Sequence, residues 1–190
     1  MLRVISGSAK GRRLATLRTL ALRPTPDRVR EALFNILGDR IDRAAVLDLF
    51  AGSGAIGLEA LSRGARLALF VEAHEPACRL IEKNLQRCGL QGQAVVWCRD
   101  VLNALPALKM QGQAFDVIFL DPPYQTSLLE EGLQQLGDGR LLTADGQAIA
   151  EHFFKRVLPE RYGRLRRVRA ARFGDVALSF YRAEDQGVRV

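Results

Sequence analysis

Apolar and polar positions follow different periods along this chain, and the changes of period divide it into three stretches. Between residues 44 and 151, short apolar runs alternate with amphipathic segments. The runs are AVLDLF (45–50), RLALFVE (66–72), QAVVWC (93–98), FDVIFLD (115–121) and QAIAE (147–151). Nearly continuous apolar strands separated by amphipathic helices predict a parallel sheet covered on both faces, a doubly wound α/β fold. Between the first two runs, Ile56, Ala60 and Leu61 form an apolar stripe, and Gly64 stands where a helix C-terminus favours a left-handed residue. Between the second and third, Cys78, Ile81 and Leu85 recur at helical spacing.

The flanks read differently. RLRRVRAARF and DVALSFYRA, joined around Gly174 and Asp175, alternate with the period of two expected of an antiparallel hairpin. At the other end, RVIS and RRLAT around Gly7 to Gly11 predict a small hairpin. The following TPDRVREALFNIL predicts a helix capped by Thr25 with Pro26 at its first position, and Val29, Leu33, Ile36 and Leu37 on one face. The expected organisation is an N-terminal extension (1–43), a main domain (44–184) and a short tail (185–190).

Composition narrows the class. With 48% apolar and 26% charged residues, the 190-residue chain has the make-up of an ordinary globular protein. No stretch is apolar and uncharged enough to span a membrane, and the charged N-terminus lacks a secretory h-region, so a cytoplasmic protein is expected, with monomer as the default state. Cys78, Cys88 and Cys98 show no paired ligand spacing, and the two histidines, His74 and His152, complete no metal set. The net charge of +7 is unevenly placed. Residues 1–43 and 155–190 each carry ten Lys/Arg against four Asp/Glu, whereas the centre holds eight against thirteen. Basic flanks around an acidic centre suit a polyanionic partner and a cationic or hydrogen-bond-donating ligand.

Two motifs carry the candidate chemistry. The first is DLFAGSGAIG, in which Gly52, Gly54 and Gly57 satisfy GxGxxG after a strand, with Glu72 ending the next strand. This pattern serves NAD and S-adenosylmethionine alike, because both contain adenine and ribose. Asp48 favours the latter. A carboxylate just before the glycines would repel a pyrophosphate, but it suits an ammonium or a sulfonium. Asp100, with Val101 beside it, stands where a carboxylate can accept from an adenine amine; capping the following helix is an equal alternative. The candidate cofactor residues are therefore Asp48, Phe50, Ala51, Gly52, Gly54, Glu72, Asp100 and Val101.

The second motif is Asp121-Pro122-Pro123-Tyr124, which follows an almost wholly apolar strand. Consecutive prolines fix two φ angles and remove two donors, which leaves an acceptor-rich turn. An exocyclic base amine is a poor nucleophile because its lone pair is delocalised. If Asp121 and the Pro122 carbonyl each accept one amine hydrogen, the nitrogen pyramidalises and aims its lone pair at a methyl donor, while Tyr124 stacks on the base. A turn in which Asp121 caps and Tyr124 packs is the structural alternative for each residue taken singly.

With these residues in place, the chain resembles the RsmD family of bacterial 16S ribosomal RNA guanine-N2 methyltransferases. The matching blocks are RVISGSAKGRRL, RPTPDRVREALFNIL, DLFAGSGAIGLEALSRGA, FVE and FDVIFLDPPY. The resemblance implies a class I methyltransferase with a Rossmann-like, mostly parallel seven-stranded sheet. It implies S-adenosylmethionine held by Asp48, Gly52, Gly54, Glu72 and Asp100, and a guanine amine held by residues 121–124. It implies too that the block from Arg23 to Arg30 helps close the site and meets RNA. The target guanine must be unstacked to reach such a turn. Lys10, Arg12, Arg13, Arg23, Arg28 and Arg30 are the candidate phosphate contacts, with Arg164, Arg166, Arg167, Arg169 and Arg172 as a second stripe; Arg28 and Arg30 have ion pairing with Asp27 or Glu31 as their alternative. The substrate is expected to be 16S rRNA or the assembling small subunit. Competing readings are a DNA adenine or protein amine methyltransferase using the same turn, an NAD-dependent oxidoreductase, and a non-catalytic RNA-binding module.

Overall fold

The computed structural model describes residues 2–17, 25–124 and 126–184. The expected tail, 185–190, lies outside them, as does Arg23. The chain forms two compact units, Met1–Val101 and Leu102–Val190.

The first unit is a three-layer piece of α/β structure. Helix α1 (Asp27–Leu37) precedes β1 (Ala45–Leu49), α2 (Ala55–Ser62), β2 (Leu67–Glu72), α3 (Glu75–Cys88) and β3 (Ala94–Cys98). The strands pair in parallel in the order β3-β2-β1. Every residue of β1 is buried, as its apolar sequence requires of a strand covered on both faces. Register places Asp48 opposite Phe70 and Glu72 opposite Cys98, so both acids sit at carboxyl ends of neighbouring strands.

Helix α1 starts one residue later than expected. Pro26 is its N-cap, in place of Thr25. Its buried face is Val29, Arg30, Leu33, Phe34 and Leu37, with Phe34 where Ile36 was expected. On α3, Cys78, Ile81 and Leu85 are buried as the spacing predicts.

Residues 2–17 are fastened to the helices of this unit. Arg3 and Arg13 form a bridge, and the turn between them packs on the end of α2. There Ser8 N donates to the Ser62 carbonyl at 2.7 Å, and Ala9 N donates to Ser62 Oγ at 2.9 Å. The approach is so close that a Cβ on Gly7 would fall 1.7 Å from that carbonyl oxygen. Glu59, on α2, is fully buried. Its carboxylate accepts from Ile5 N (2.7 Å), Ser6 N (3.0 Å) and Arg63 Nε (2.7 Å). A buried carboxylate costs several kcal/mol unless its lone pairs are filled, and three donors offset that cost here.

The second unit holds α4 (Val101–Met110, its first residue being the last of the first unit), β4 (Phe115–Leu120), α5 (Leu128–Gly137), β5 (Leu142–Phe153), β6 (Arg161–Tyr162), β7 (Leu165–Phe173) and β8 (Val176–Ala183). Its strands run in the order β4-β5-β8-β7-β6; β4 and β5 are parallel and the other pairs antiparallel. The hairpin read around Gly174 is β7-β8. Strand β5 is longer than its apolar stretch because it begins at Leu142 and absorbs an irregularity before Gln147 resumes the ladder. The described residues hold eight strands, the eighth being the two-residue β6. No helix among them is long and apolar enough to cross a membrane.

Candidate functional site

The glycine loop follows β1 at the carboxyl edge of the parallel strands. Gly52 and Gly54 both have left-handed backbone, at φ 56° and 75°. Phe50 does too, at φ 60°. For a residue with a Cβ that conformation costs on the order of 1–3 kcal/mol, and it persists only where the surroundings enforce it. The enforcing bonds are visible: Ala51 N donates to the Val71 carbonyl, Gly54 N to the Ala51 carbonyl, and Gly52 N to Glu72 Oε2 at 2.8 Å. Asn84, buried on α3, donates to the carbonyls of Ser53 and Ala15, which ties the loop to the N-terminal segment. Gly57 is required by packing, since a Cβ there would lie 2.3 Å from the Phe70 ring.

Asp48 is 2% exposed and accepts from Gly57 N at 2.9 Å. Burial pushes its carboxyl up to about 7; the Gly57 N–H opposes the rise, and the nearby Glu72 adds to it. Glu72 already accepts from two backbone N–H groups, of Gly52 and His74. Each carboxylate oxygen keeps a second lone pair for a ligand hydroxyl. Asp100 is exposed and immediately precedes α4, whereas Val101 is buried.

In the second unit, Asp121 follows β4 half-buried, Pro122 is buried, and Pro123 is exposed. Tyr124 is 41% exposed, and its hydroxyl donates to Glu151 Oε1 at 3.3 Å. The Pro123 carbonyl accepts from Thr126 Oγ1 at 2.8 Å. One residue that the sequence reading missed organises this turn. Arg156 donates to the Tyr124 carbonyl (3.1 Å) and the Thr126 carbonyl (2.7 Å), and makes a two-pronged ion pair with Glu130. Nothing in the local pattern marks it, since it lies after β5 and meets the turn only through the fold.

The N-terminal cations separate into two groups. Lys10, Arg12, Arg13 and Arg28 are exposed. Arg30 is a correction to the expected phosphate contacts. Its side chain is fully buried, and Nη2 donates to the Arg3 carbonyl at 2.6 Å and to Asp27 Oδ1 at 3.0 Å. Desolvation lowers its pKa, the nearby Asp27 opposing. A phosphate cannot reach it, and its task is to join α1 to the N-terminal segment.

Residues 2–182 match the family model described as "Conserved hypothetical protein 95". Over 186 residues the chain is 38% identical to the ribosomal RNA small subunit methyltransferase D of Escherichia coli strain K12, covering 98% of this chain and 92% of that one. The chain belongs to the RsmD family. A second RsmD relative, from Haemophilus influenzae, is 41% identical over 151 residues, covering 78% of this chain and 77% of its own length. The solved structure of yhhF from Escherichia coli superposes with a TM-score of 0.86 at 36% identity, covering 97% of this chain and 99% of that one. The fold is the Rossmann-like α/β fold shared with these proteins, as the alternating apolar runs predict.

Proposed function

We propose that this protein transfers a methyl group from S-adenosylmethionine to the exocyclic N2 amine of a guanine in 16S ribosomal RNA, free or within the assembling small subunit. The observation that carries the reading is the proline-braced Asp121–Tyr124 turn at the end of β4, in a chain that matches a small-subunit rRNA methyltransferase over nearly its whole length. The cofactor supplies an electrophilic methyl on a sulfonium. The first unit suits that ligand: backbone at Gly52 and Gly54 leaves no Cβ in the way, and the buried acid Asp48 favours a cation over a pyrophosphate. Phe50, Ala51, Glu72, Asp100 and Val101 complete its lining in this reading. Asp121 and the Pro122 carbonyl accept the two amine hydrogens, and the exposed ring of Tyr124 stacks on an unstacked guanine. No base need act first, because the nitrogen turns cationic during transfer and the oxygens around it favour that charge. Residues 1–43 serve as an extension that meets RNA through Lys10, Arg12, Arg13 and Arg28, with residues 44–184 as the methyltransferase domain.

Labelled donor offered with unmodified 16S rRNA, assembling small subunits, DNA and protein tests the reading. Label is expected only in the small-subunit RNA, on N2 of one guanine. Label in adenine of DNA or in protein, or calorimetry showing binding of NAD and none of the methyl donor, would overturn it.

Arg156→Lys is expected to keep the charge and lose the fork that holds two carbonyls at once. Turnover should fall by about tenfold or more through misplacement of the turn, with donor affinity unchanged. An unchanged turnover would show that the prolines alone hold the turn.

A further inference from the structure

The proposed reaction leaves the second basic stretch, residues 161–182, without a task. Strand register gives it one. Arg161 is directly opposite Arg166 across β6-β7, Arg166 is directly opposite Arg182 across β7-β8, and Arg182 is opposite Gln147 on β5. Directly opposed residues of an antiparallel ladder share a face, with Cβ atoms about 4.5–5.5 Å apart, and like charges so placed destabilise the sheet. Three arginines thus stand shoulder to shoulder in a row across three strands.

Among the described residues, their local neutralisation is incomplete. Glu184 accepts from Arg161 (2.6 Å) and from Arg166 (3.1 Å), one carboxylate shared by two guanidiniums. These two donors depress the Glu184 pKa, so the acid stays charged at neutral pH. Arg182 meets a neutral partner: with the Gln147 amide turned so that its oxygen faces the guanidinium, Nε and Nη2 lie at 2.9 and 3.3 Å. Arg161 and Arg166 each keep 58% of their side-chain surface in solvent.

A β-bulge extends the row. Strict alternation would send Arg166 and Arg169 to opposite faces, but the register shifts between Arg167 and Arg169. Arg169 therefore comes opposite Phe180, on the face that carries Arg182, with its guanidinium 6.0 Å from the Phe180 ring. Bulges commonly serve to re-aim a side chain in this way. Arg167 and Arg172 pair with Tyr181 and Ala177, on the other face.

We infer that Arg161, Arg166, Arg182 and Arg169 form a second phosphate-binding surface for the RNA substrate, in addition to the N-terminal cations. The inference rests on the rRNA methyltransferase reading. A row of planar guanidiniums, exposed at Arg161, Arg166 and Arg169 and half-buried at Arg182, matches successive phosphates of a strand laid across the sheet, since each fork can take a phosphate by two hydrogen bonds. The repulsion within the row is then relieved by bound RNA.

Two substitutions with opposite expected signs test this in the full-length protein, with a naked 16S rRNA fragment titrated over a range of KCl. Arg166→Gln should lower affinity several-fold at low salt and flatten the slope of log affinity against log salt by about 0.7–0.9, one phosphate contact. The KM for RNA should rise with kcat retained at saturating RNA, and the thermal midpoint should not fall. Glu184→Gln releases two arginines, so it should bind RNA more tightly and with a steeper salt slope. A pair with a merely structural role would not produce that gain. Wild-type affinity and slope in both variants would overturn the inference, as would Glu184→Gln weakening binding. An effect confined to assembled particles, with naked RNA bound normally, would assign the face to a protein partner and also overturn it. Should the wild-type chain fail to methylate RNA while the two variants still shift RNA affinity in opposite directions, the reaction assigned above falls and this surface stands.

Discussion

Asp121→Ala is expected to lower methyl transfer by about 10²–10³-fold, the loss typical of removing one preorganised group that stabilises developing charge. The lining proposed for the cofactor, on β1, β2, the glycine loop and Asp100–Val101, does not include Asp121, so donor affinity should not change. RNA affinity should change little too, because phosphate contacts supply most of it. The loss should therefore appear in kcat. Asp121→Asn is the sharper variant, since it keeps the shape and one acceptor oxygen while removing the charge that favours the methylated, cationic nitrogen. An intermediate rate is expected from it. Single-turnover assays with saturating RNA and donor separate these outcomes, and full activity in the alanine variant would remove residue 121 from the chemistry.

The parts of this arrangement that the sequence makes legible share a cause. Parallel strands buried on both faces must be apolar along their whole length, so β1, β2 and β4 are visible as runs, and the acids that interrupt those runs at their ends stand out. Asp48, Glu72 and Asp121 are conspicuous for that reason. Glycines forced to positive φ, such as Gly52 and Gly54, are conspicuous as well, because few other residues tolerate the conformation.

What the sequence conceals depends on long-range contact or on a single extra residue. Arg30 and Arg28 look equivalent in DRVREALF, yet one is fully buried against the N-terminal segment and the other faces solvent. The helical face they sit on is decided by what packs there, which includes the carbonyl of Arg3. Arg156 contacts the Asp121–Tyr124 turn across some thirty residues of chain, a relation no local window contains. The basic stripe around β7 is legible as charge, but its division between two faces turns on the bulge near Val168. No turn residue or glycine announces that bulge.

Asp48 carries the second large expectation, and its sign follows from burial. An unfolded aspartate titrates near 3.8, and the folded carboxyl is raised to about 7. Between those values the native state holds a proton that the unfolded state has released, so stability falls as pH rises through that window. Above about 7 the full penalty is present, on the order of 4 kcal/mol at 1.36 kcal/mol per unit. Asp48→Asn retains an oxygen for the Gly57 N–H and discards the charge. Its thermal midpoint should exceed that of the wild type at pH 8 and match it near pH 4. Ligand binding should respond in the opposite sense. An ammonium or sulfonium beside the carboxyl favours the ionised form, so donor affinity in the wild type should increase as pH rises through 7 and then level off. Binding below that point should release a proton, readable by calorimetry in buffers of different ionisation enthalpy. In Asp48→Asn the affinity should be weaker and flat with pH. Tight, pH-independent binding by the asparagine variant together with a lowered midpoint at pH 8 would make Asp48 a structural acceptor for α2 and nothing more. The combination expected instead, a more stable protein that binds its donor poorly, is what a charge buried for a cationic ligand should produce.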